Sequence, residues 1–239
     1  MRLAPDARLA CLAPSQQYPL GGALSLSRRL ALLDWARAAD AWILEDDYDS
    51  EYRYAGRPLA ALQGLDRDGR VVYVGSLSKV MFPSLRLAYL VAPEGLVDRF
   101  LAMRATIDDH PSAVVQPALA AFIADGHLAA HVRRMRRRYA ARQAALLRAA
   151  ARHLDGLLVL RPAEAGMHLV AELAPALARR MDDQEAARRA AAAGIVVVPL
   201  SASYLQAPRR QGLLLGYAAV AEPAIGPAVR RLAAALAVG

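Results

Sequence analysis

The stretch that decides the fold reads VVYVGSLSK and covers residues 71–79. Its apolar first half is typical of a buried strand, which ends at Gly75 and Ser76, and Lys79 follows within one turn. Lys79 is the only lysine among 30 basic residues, the other 29 being arginines. Guanidinium does not lose its proton, so a position that must add a neutral amine to a carbonyl retains lysine. Lys79 is therefore a candidate for amine chemistry, although composition by itself leaves open a lysine retained by chance.

Outward from this stretch, apolar strands alternate with helical segments. A buried strand at 41–44 ends abruptly in Glu45, Asp46 and Asp47, and the segment 85–92 predicts another strand that Pro93 stops. A short strand at 11–14 precedes a helix capped by Ser25 or Ser27. Strands and helices at this spacing predict an α/β fold, with a mostly parallel sheet covered by helices.

The pattern changes near residue 111. Two helical stretches follow, and the second carries apolar residues at helical spacing along 128–139. Short strands are predicted at 157–160, 167–170, 195–198 and 213–217, and a C-terminal helix closes the chain. We therefore predict a large domain over residues 1–110, which is only part of such a domain, and a smaller α+β domain over residues 111–239 with the long connecting helix.

Composition excludes several classes of protein. The 239 residues are 56% hydrophobic, which is too apolar for a disordered chain. No apolar run is long enough to cross a bilayer, and the single cysteine, Cys11, fits a cytoplasmic protein. The net charge of +8 is compatible with nucleic-acid binding. The arginine run at 133–138, however, is interrupted by an apolar helical stripe, which favours a solvated helix face over a binding surface. The histidines show no metal-ligand spacing, so no metal is expected.

Polar residues gather where the predicted strands end, and parallel sheets bind ligands at that edge. Pyridoxal 5'-phosphate (PLP) needs a carboxylate for its ring nitrogen, a donor for its phenolic oxygen, hydroxyl and guanidinium groups for its phosphate, and a lysine for its aldehyde. One of each is available in the set Asp46, Tyr48, Ser76, Ser78, Arg86 and Lys79. Each residue alone also fits an ordinary turn or cap, but the whole set in this order indicates a cofactor site.

Two segments carry a resemblance to a known family. Residues 43–54 read ILEDDYDSEYRY and residues 76–89 read SLSKVMFPSLRLAY. Together with SQQYPLG at 15–21, they resemble the aminotransferase-like half of MocR-type regulators of the GntR family. Those are fold-type I PLP proteins in which a winged helix-turn-helix domain precedes an aminotransferase class I/II domain.

The resemblance implies a role for each matching residue. Lys79 would form the Schiff base with PLP and Asp46 would bind the pyridinium nitrogen, while Tyr48 would contact the phenolic oxygen. The phosphate would be held by Ser76, Ser78 and Arg86, and Tyr18 would lie near the ring. The family also implies a homodimer, with DNA bound only through a winged helix-turn-helix domain that this chain does not contain.

The sequence departs from the family pattern in two places. The match begins partway into the aminotransferase domain, without its Gly-Ser-Gln-like phosphate loop at a helix N-terminus, so we expect weak or absent PLP binding by this chain alone. Aminotransferases also use an arginine to bind the substrate carboxylate, and the corresponding stretch 212–217 has leucine instead. Arg209 and Arg210, just before it, are candidates to replace that arginine, with solvent-exposed loop arginines as the alternative.

Three functions follow from this reading. The first is the PLP-binding part of a MocR-type transcription regulator, which senses an amino compound or amino acid through imine chemistry at Lys79. The second is a catalytic class I/II aminotransferase, with Lys79 as the proton shuttle. The third is an inactive truncated fragment that folds poorly.

Overall fold

The computed structural model describes residues 4–56, 58–107, 109–110 and 113–237. These residues form two compact units, the first of residues 4–51 and 58–133 and the second of residues 52–56 and 134–237. The division into domains 1–110 and 111–239 stays a prediction, and its boundary residue Pro111 lies outside the described residues. Across the described ranges, no helix combines the length and the apolar character needed to span a membrane.

The first unit is a four-stranded sheet with helices. Its elements are β1 (Leu9–Leu12), α1 (Leu26–Ala38), β2 (Trp42–Asp47), β3 (Val71–Ser76), α2 (Leu77–Val80), β4 (Ala88–Val91), α3 (Glu94–Ile107) and α4 (Val115–Ala124). The strand order is β1-β2-β3-β4. β2 is parallel to β1 and β3, and β4 is antiparallel to β3. This mixed sheet with helices confirms the predicted α/β class.

The core of this unit lies between α1 and one face of the sheet. Ser25 begins α1, because its side chain accepts a hydrogen bond from the backbone N–H three residues later. Leu33 and Ala36 of α1 then pack in one cluster with Ile43 of β2 and Val71 of β3, all of them buried. Burial of these side chains fixes β2 and β3 against the helix and so holds their carboxyl ends side by side.

A buried carboxylate fixes β2 further. Glu45 is 1% exposed, and its two oxygens accept the backbone N–H groups of Leu62 and Gln63, each at 2.8 Å. Burial raises the pKa of Glu45, while these two hydrogen bonds act in the opposite direction. The loop after β2 is thereby tied to the strand immediately before Asp46.

The last strand of the first unit is shorter than the predicted strand over residues 85–92. Pro83–Leu85 forms a 3-10 turn, and Arg86 adopts left-handed backbone angles, φ 50° and ψ 34°. A left-handed residue cannot continue a strand, so β4 begins at Ala88. Sequence periodicity does not reveal such a local reversal.

The second unit is an antiparallel sheet with helices. It contains most of α5 (His127–His153), then β5 (Leu158–Leu160), β6 (His168–Leu173), α6 (Pro175–Ala178), α7 (Asp183–Ala192), β7 (Val198–Pro199), β8 (Gly212–Gly216) and α8 (Glu222–Ala237). The strand order is β5-β6-β8-β7. The strands predicted at 157–160, 167–170 and 213–217 occur with shifted ends. The strand predicted at 195–198 is largely wrong, because β7 covers only Val198–Pro199 and shares one residue with it.

A short segment before residue 57 also belongs to the second unit. The N–H of Tyr54 donates to the carbonyl of Glu164 at 2.7 Å, and the N–H of Gly166 donates to the carbonyl of Tyr52 at 3.0 Å. The buried ring of Tyr52 lies edge-on to Tyr139, with 4.9 Å between centroids. These contacts explain why residues 52–56 cluster with a part of the chain more than a hundred positions later.

Candidate functional site

The carboxyl ends of β2 and β3 lie side by side, as parallel pairing requires. Asp46 is in register with Val74, and Asp47 is in register with Gly75. β3 ends at Ser76 and the chain passes directly into α2, which carries Ser78 and Lys79. Residues that are about 30 positions apart in the sequence are thereby placed along one edge of the sheet.

Asp46 and Asp47 have different environments at this edge. One oxygen of Asp47 accepts the hydroxyls of Tyr73 and Ser50, both at 2.7 Å, and the other accepts the Ser50 N–H at 3.1 Å. Among the described residues, none donates a hydrogen bond to the side chain of Asp46, which is exposed. Desolvation and, secondly, the charge of Asp47 raise the pKa of Asp46. A cation placed beside Asp46 would therefore relieve an unfavourable charge.

Tyr48 connects the end of β2 to the preceding loop. Its hydroxyl donates to the carbonyl of Gln16 at 3.0 Å. Burial is the main cause that raises the pKa of Tyr48, followed by the charge of Asp49. The loop itself is closed by Gln17, whose N–H donates to the carbonyl of Gly22 at 2.8 Å. In the same loop, the side chain of Tyr18 is 50% exposed.

The turn that carries Lys79 is held by backbone contacts. The N–H of Leu77 donates to the carbonyl of Leu87 at 3.1 Å, which places Arg86 close to α2. Ser76 stands at the N-cap position without a side-chain capping bond. Lys79 and Arg86 are both exposed. Hydroxyl, guanidinium and amine groups are thus available at this edge.

Gly75 is a site residue that the sequence reading did not single out. A Cβ at this position would lie 2.2 Å from Cζ of Tyr89, far closer than atoms can approach. The ring of Tyr89 therefore lies across the end of β3, with its centroid 6.0 Å from that of Tyr73. A glycine inside an otherwise β-branched strand is a known signal of such a close approach, and it could have identified this position.

Asp49 is a second residue that was not singled out. It is 1% exposed, and neither side-chain oxygen has a hydrogen-bond partner within the described part of the chain. Burial, followed by the charges of Asp47 and Glu51, raises the pKa of Asp49 to about 7, and the charge of Lys79 opposes the rise. No local sequence pattern separates this aspartate from its neighbours.

The two candidate substrate arginines lie in the second unit. Arg210 donates a hydrogen bond to the carboxylate of Glu172 on β6, and this bond is the main cause that raises the pKa of Arg210. Arg209 is exposed. The β8 residues that follow are three buried leucines, which cannot bind a carboxylate.

Comparison with known proteins gives a consistent result. The sequence model of the family "Aminotransferase class I and II" matches residues 12–232. The probable rhizopine catabolism regulatory protein MocR of Rhizobium meliloti is 44% identical over 216 residues, which cover 90% of this chain and 43% of that protein. The HTH-type transcriptional regulator TauR of Rhodobacter capsulatus is 36% identical over 230 residues, covering 96% of this chain and 46% of that one. The chain thus spans less than half the length of these two regulators.

Solved structures show the same relationship. Kynurenine aminotransferase from Pyrococcus horikoshii superimposes with a TM-score of 0.85 at 27% identity, covering 96% of this chain and 56% of that one. The α-aminoadipate aminotransferase LysN from Thermus thermophilus gives a TM-score of 0.83 at 28% identity, covering 95% of this chain and 58% of that one. Nearly all of this chain is therefore similar to a little over half of an aminotransferase.

Proposed function

The chain belongs to the aminotransferase class I and II family, and from this premise we propose that it is the PLP-binding, ligand-sensing part of a MocR-type transcription regulator. The observation that carries the proposal is the position of Lys79. The only lysine of the chain lies on α2, which follows β3 directly, at the same sheet edge as Asp46, whose carboxylate accepts no hydrogen bond from the described residues. An amine and a carboxylate at one edge are the two groups that this cofactor requires most.

The residues at this edge fit the cofactor. Asp46 would bind the ring nitrogen and keep its proton in place, because the carboxylate has no other donor among the described residues. Lys79 would bind the aldehyde carbon, and the phosphate would be held by Ser76, Ser78 and Arg86. When bound, PLP supplies an aldehyde that condenses with primary amines and a ring that withdraws electrons.

Two tyrosines would complete the site, with different requirements. Tyr48 has a single hydroxyl proton, which it donates to the carbonyl of Gln16 at 3.0 Å. Contact with the phenolic oxygen of PLP therefore requires this hydroxyl to exchange its partner. Tyr18 would lie near the cofactor ring, and its side chain is 50% exposed.

Reconstitution of the 239-residue chain with PLP tests the proposal. After borohydride reduction, mass spectrometry is expected to locate the adduct on Lys79, and Lys79→Arg should lose it completely. Asp46→Asn should weaken binding about tenfold to a hundredfold, because a charge-assisted contact is lost. Arg99→Lys, which adds a lysine on the exposed side of α3, controls for nonspecific labelling. Labelling of both lysines to the same extent would refute a built site.

Sensing rather than turnover is favoured by the second unit. The candidate carboxylate-binding residue Arg210 is already bonded to Glu172, and three buried leucines follow it. We therefore expect amino compounds to displace Lys79 from the cofactor, with a slow or absent second half-reaction. Incubation with a panel of amino acids and a keto-acid acceptor measures this. Sustained keto-acid turnover would favour the catalytic aminotransferase instead.

We also propose a nucleic-acid partner, a ligand and an assembly for this chain. The similar relatives are named as transcription regulators, and for this chain we propose DNA contact only through a winged helix-turn-helix domain of a longer polypeptide. A small amino compound is the proposed ligand, and a homodimer is the proposed assembly. Light scattering of the purified chain tests the assembly, and a monomer at all concentrations would contradict it.

A further inference from the structure

A cleft in the second unit has no role in the proposed function. It is lined by residues of α8, of the end of β8 and of the segment 194–197 before β7, and its volume is about 370 Å³. Leu146 of α5 and Leu232 of α8 belong to the lining, and their side chains are 5% and 2% exposed. Pockets that hold small molecules begin at about 300 Å³. The cleft therefore has room for a small ligand.

The walls of this cleft are mostly apolar. Ala224 and Ala228 lie one turn apart on the same side of α8, and their short side chains leave the space open. Val196 of the segment 194–197 is 92% exposed, so apolar surface of the lining is in contact with water. Protein interiors are otherwise close-packed, and an apolar cavity binds an apolar ligand more readily than it holds ordered water. The lining therefore favours a ligand with an apolar body.

A single charge borders the cleft. Among the described residues that line it, Arg231 is the only charged one. It follows Ala228 by three positions, which places both residues on one side of α8. Its side chain is exposed and forms no ion pair with a described residue. The only acidic residue of α8 is Glu222, more than two turns earlier. An anionic group bound in the cleft would therefore meet a positive charge that no described carboxylate neutralises.

We propose that this cleft binds a small molecule with an apolar body and one carboxylate, of the class of medium-chain fatty acids. The apolar body contacts the walls, and the carboxylate accepts hydrogen bonds from the guanidinium group of Arg231, whose planar fork matches a carboxylate. A cationic molecule of the same shape is disfavoured, because Arg231 repels it. The cleft belongs to the second unit and Lys79 to the first, so the proposal does not depend on PLP binding.

Calorimetric titration of the 239-residue chain with octanoate, 1-octanol and octylamine tests this charge preference. Octanoate should bind to one site and saturate it. The uncharged alcohol should bind about tenfold to a hundredfold more weakly, because a charge-assisted hydrogen bond is lost. Octylamine, which is cationic at neutral pH, should bind more weakly still. Equal affinities for octanoate and octylamine, or an absence of saturable octanoate binding, would overturn the proposal.

A pair of neighbouring arginine variants separates the site from the net charge of the chain. Arg231→Gln should weaken octanoate binding about tenfold to a hundredfold and leave the affinity for 1-octanol unchanged. Arg230→Gln is the matched control, because Arg230 is exposed on the same helix but does not line the cleft. It should leave both affinities unchanged. Equal weakening of octanoate binding by the two variants would show that only net charge matters and would contradict the proposal.

A second pair of variants tests the space itself. Ala228→Leu should fill the cleft and weaken both octanoate and 1-octanol, whereas Ala234→Leu, at an exposed position of the same helix, should weaken neither. If Ala228→Leu does not fold, amide shifts in NMR spectra of the wild-type chain decide the matter. Octanoate should shift the signals of Val196 and Gly216, and shifts confined to other regions would overturn the proposal.

A second copy of this chain is the alternative occupant of the cleft. Light scattering of the wild type and of Ala228→Leu distinguishes the two occupants. If the cleft binds a small carboxylate, the two proteins should have the same mass in solution. A wild-type dimer that becomes a monomer in Ala228→Leu would show that another copy covers the cleft, which would contradict the proposal.

Discussion

Replacing Asp49 by asparagine should remove a large part of the pH dependence of stability of the first unit. Burial raises the pKa of the Asp49 carboxyl from its ordinary value near 4 to about 7 in the folded chain. The stability associated with the bound proton is fully present below about pH 4 and is lost as the pH rises to about 7. Within this window unfolding releases a proton, so a higher pH favours the unfolded chain.

The magnitude follows from the size of the shift. Each pH unit inside the window lowers the free energy of unfolding by about 1.4 kcal/mol, so the wild type should lose about 2–3 kcal/mol between pH 5 and pH 8 through this group. Because Asp49 is 1% exposed, solvent screening does not reduce this figure greatly. Asparagine has no titrating proton, and the difference between wild type and variant isolates the Asp49 contribution from that of Glu45, whose pKa is also raised by burial.

Urea unfolding followed by tryptophan fluorescence measures this difference at pH 5, 6, 7 and 8. Both tryptophans, Trp35 and Trp42, lie in the first unit, so the signal reports on the part of the chain that contains Asp49. Asp98→Asn, which removes an exposed carboxylate from α3, is the matched control and should leave the slope unchanged. Parallel pH profiles for wild type and Asp49→Asn would refute the reasoning.

Further predictions concern single positions. Glu45→Ala should destabilise the first unit by about 3–5 kcal/mol, because it leaves one buried and one partly buried N–H group without an acceptor. Glu45→Gln should destabilise it less, since one acceptor oxygen remains, and equal urea midpoints for the two variants would contradict this. Gly212→Ala should lower the free energy of unfolding by about 1–3 kcal/mol or more, because its Cβ would lie 2.6 Å from a backbone oxygen. The control is Gly216→Ala on the same strand, whose Cβ meets nothing within 4 Å and which should leave the thermal melt nearly unchanged. Gly75→Ala should destabilise the protein similarly, and Tyr89→Ala in the same chain should recover much of the loss, because it removes the ring that the new Cβ would strike; no recovery in the double variant would show that another contact is responsible.

Much of the fold could be predicted because its signals are local. The buried strand at 71–76 and the polar residues after it are contiguous in the sequence, and parallel pairing then places Asp46 beside β3. Ser25 could be predicted as one of two possible caps. The start of β4 could not, because the left-handed backbone of Arg86 reverses the chain without leaving a periodic pattern.

The sequence by itself determined which chemical groups are available. These are a single lysine and, in a fixed order along the chain, the carboxylates, hydroxyls and guanidinium of the site. Tertiary structure alone decided which of three nearby aspartates does what. Asp47 is engaged by Tyr73 and Ser50, Asp46 has no donor among the described residues, and Asp49 is buried without a partner. The side chains are chemically identical, so their differences arise only from burial and from donors that other strands and turns bring to them. Those contacts form when the chain folds, and no local pattern of residues encodes them.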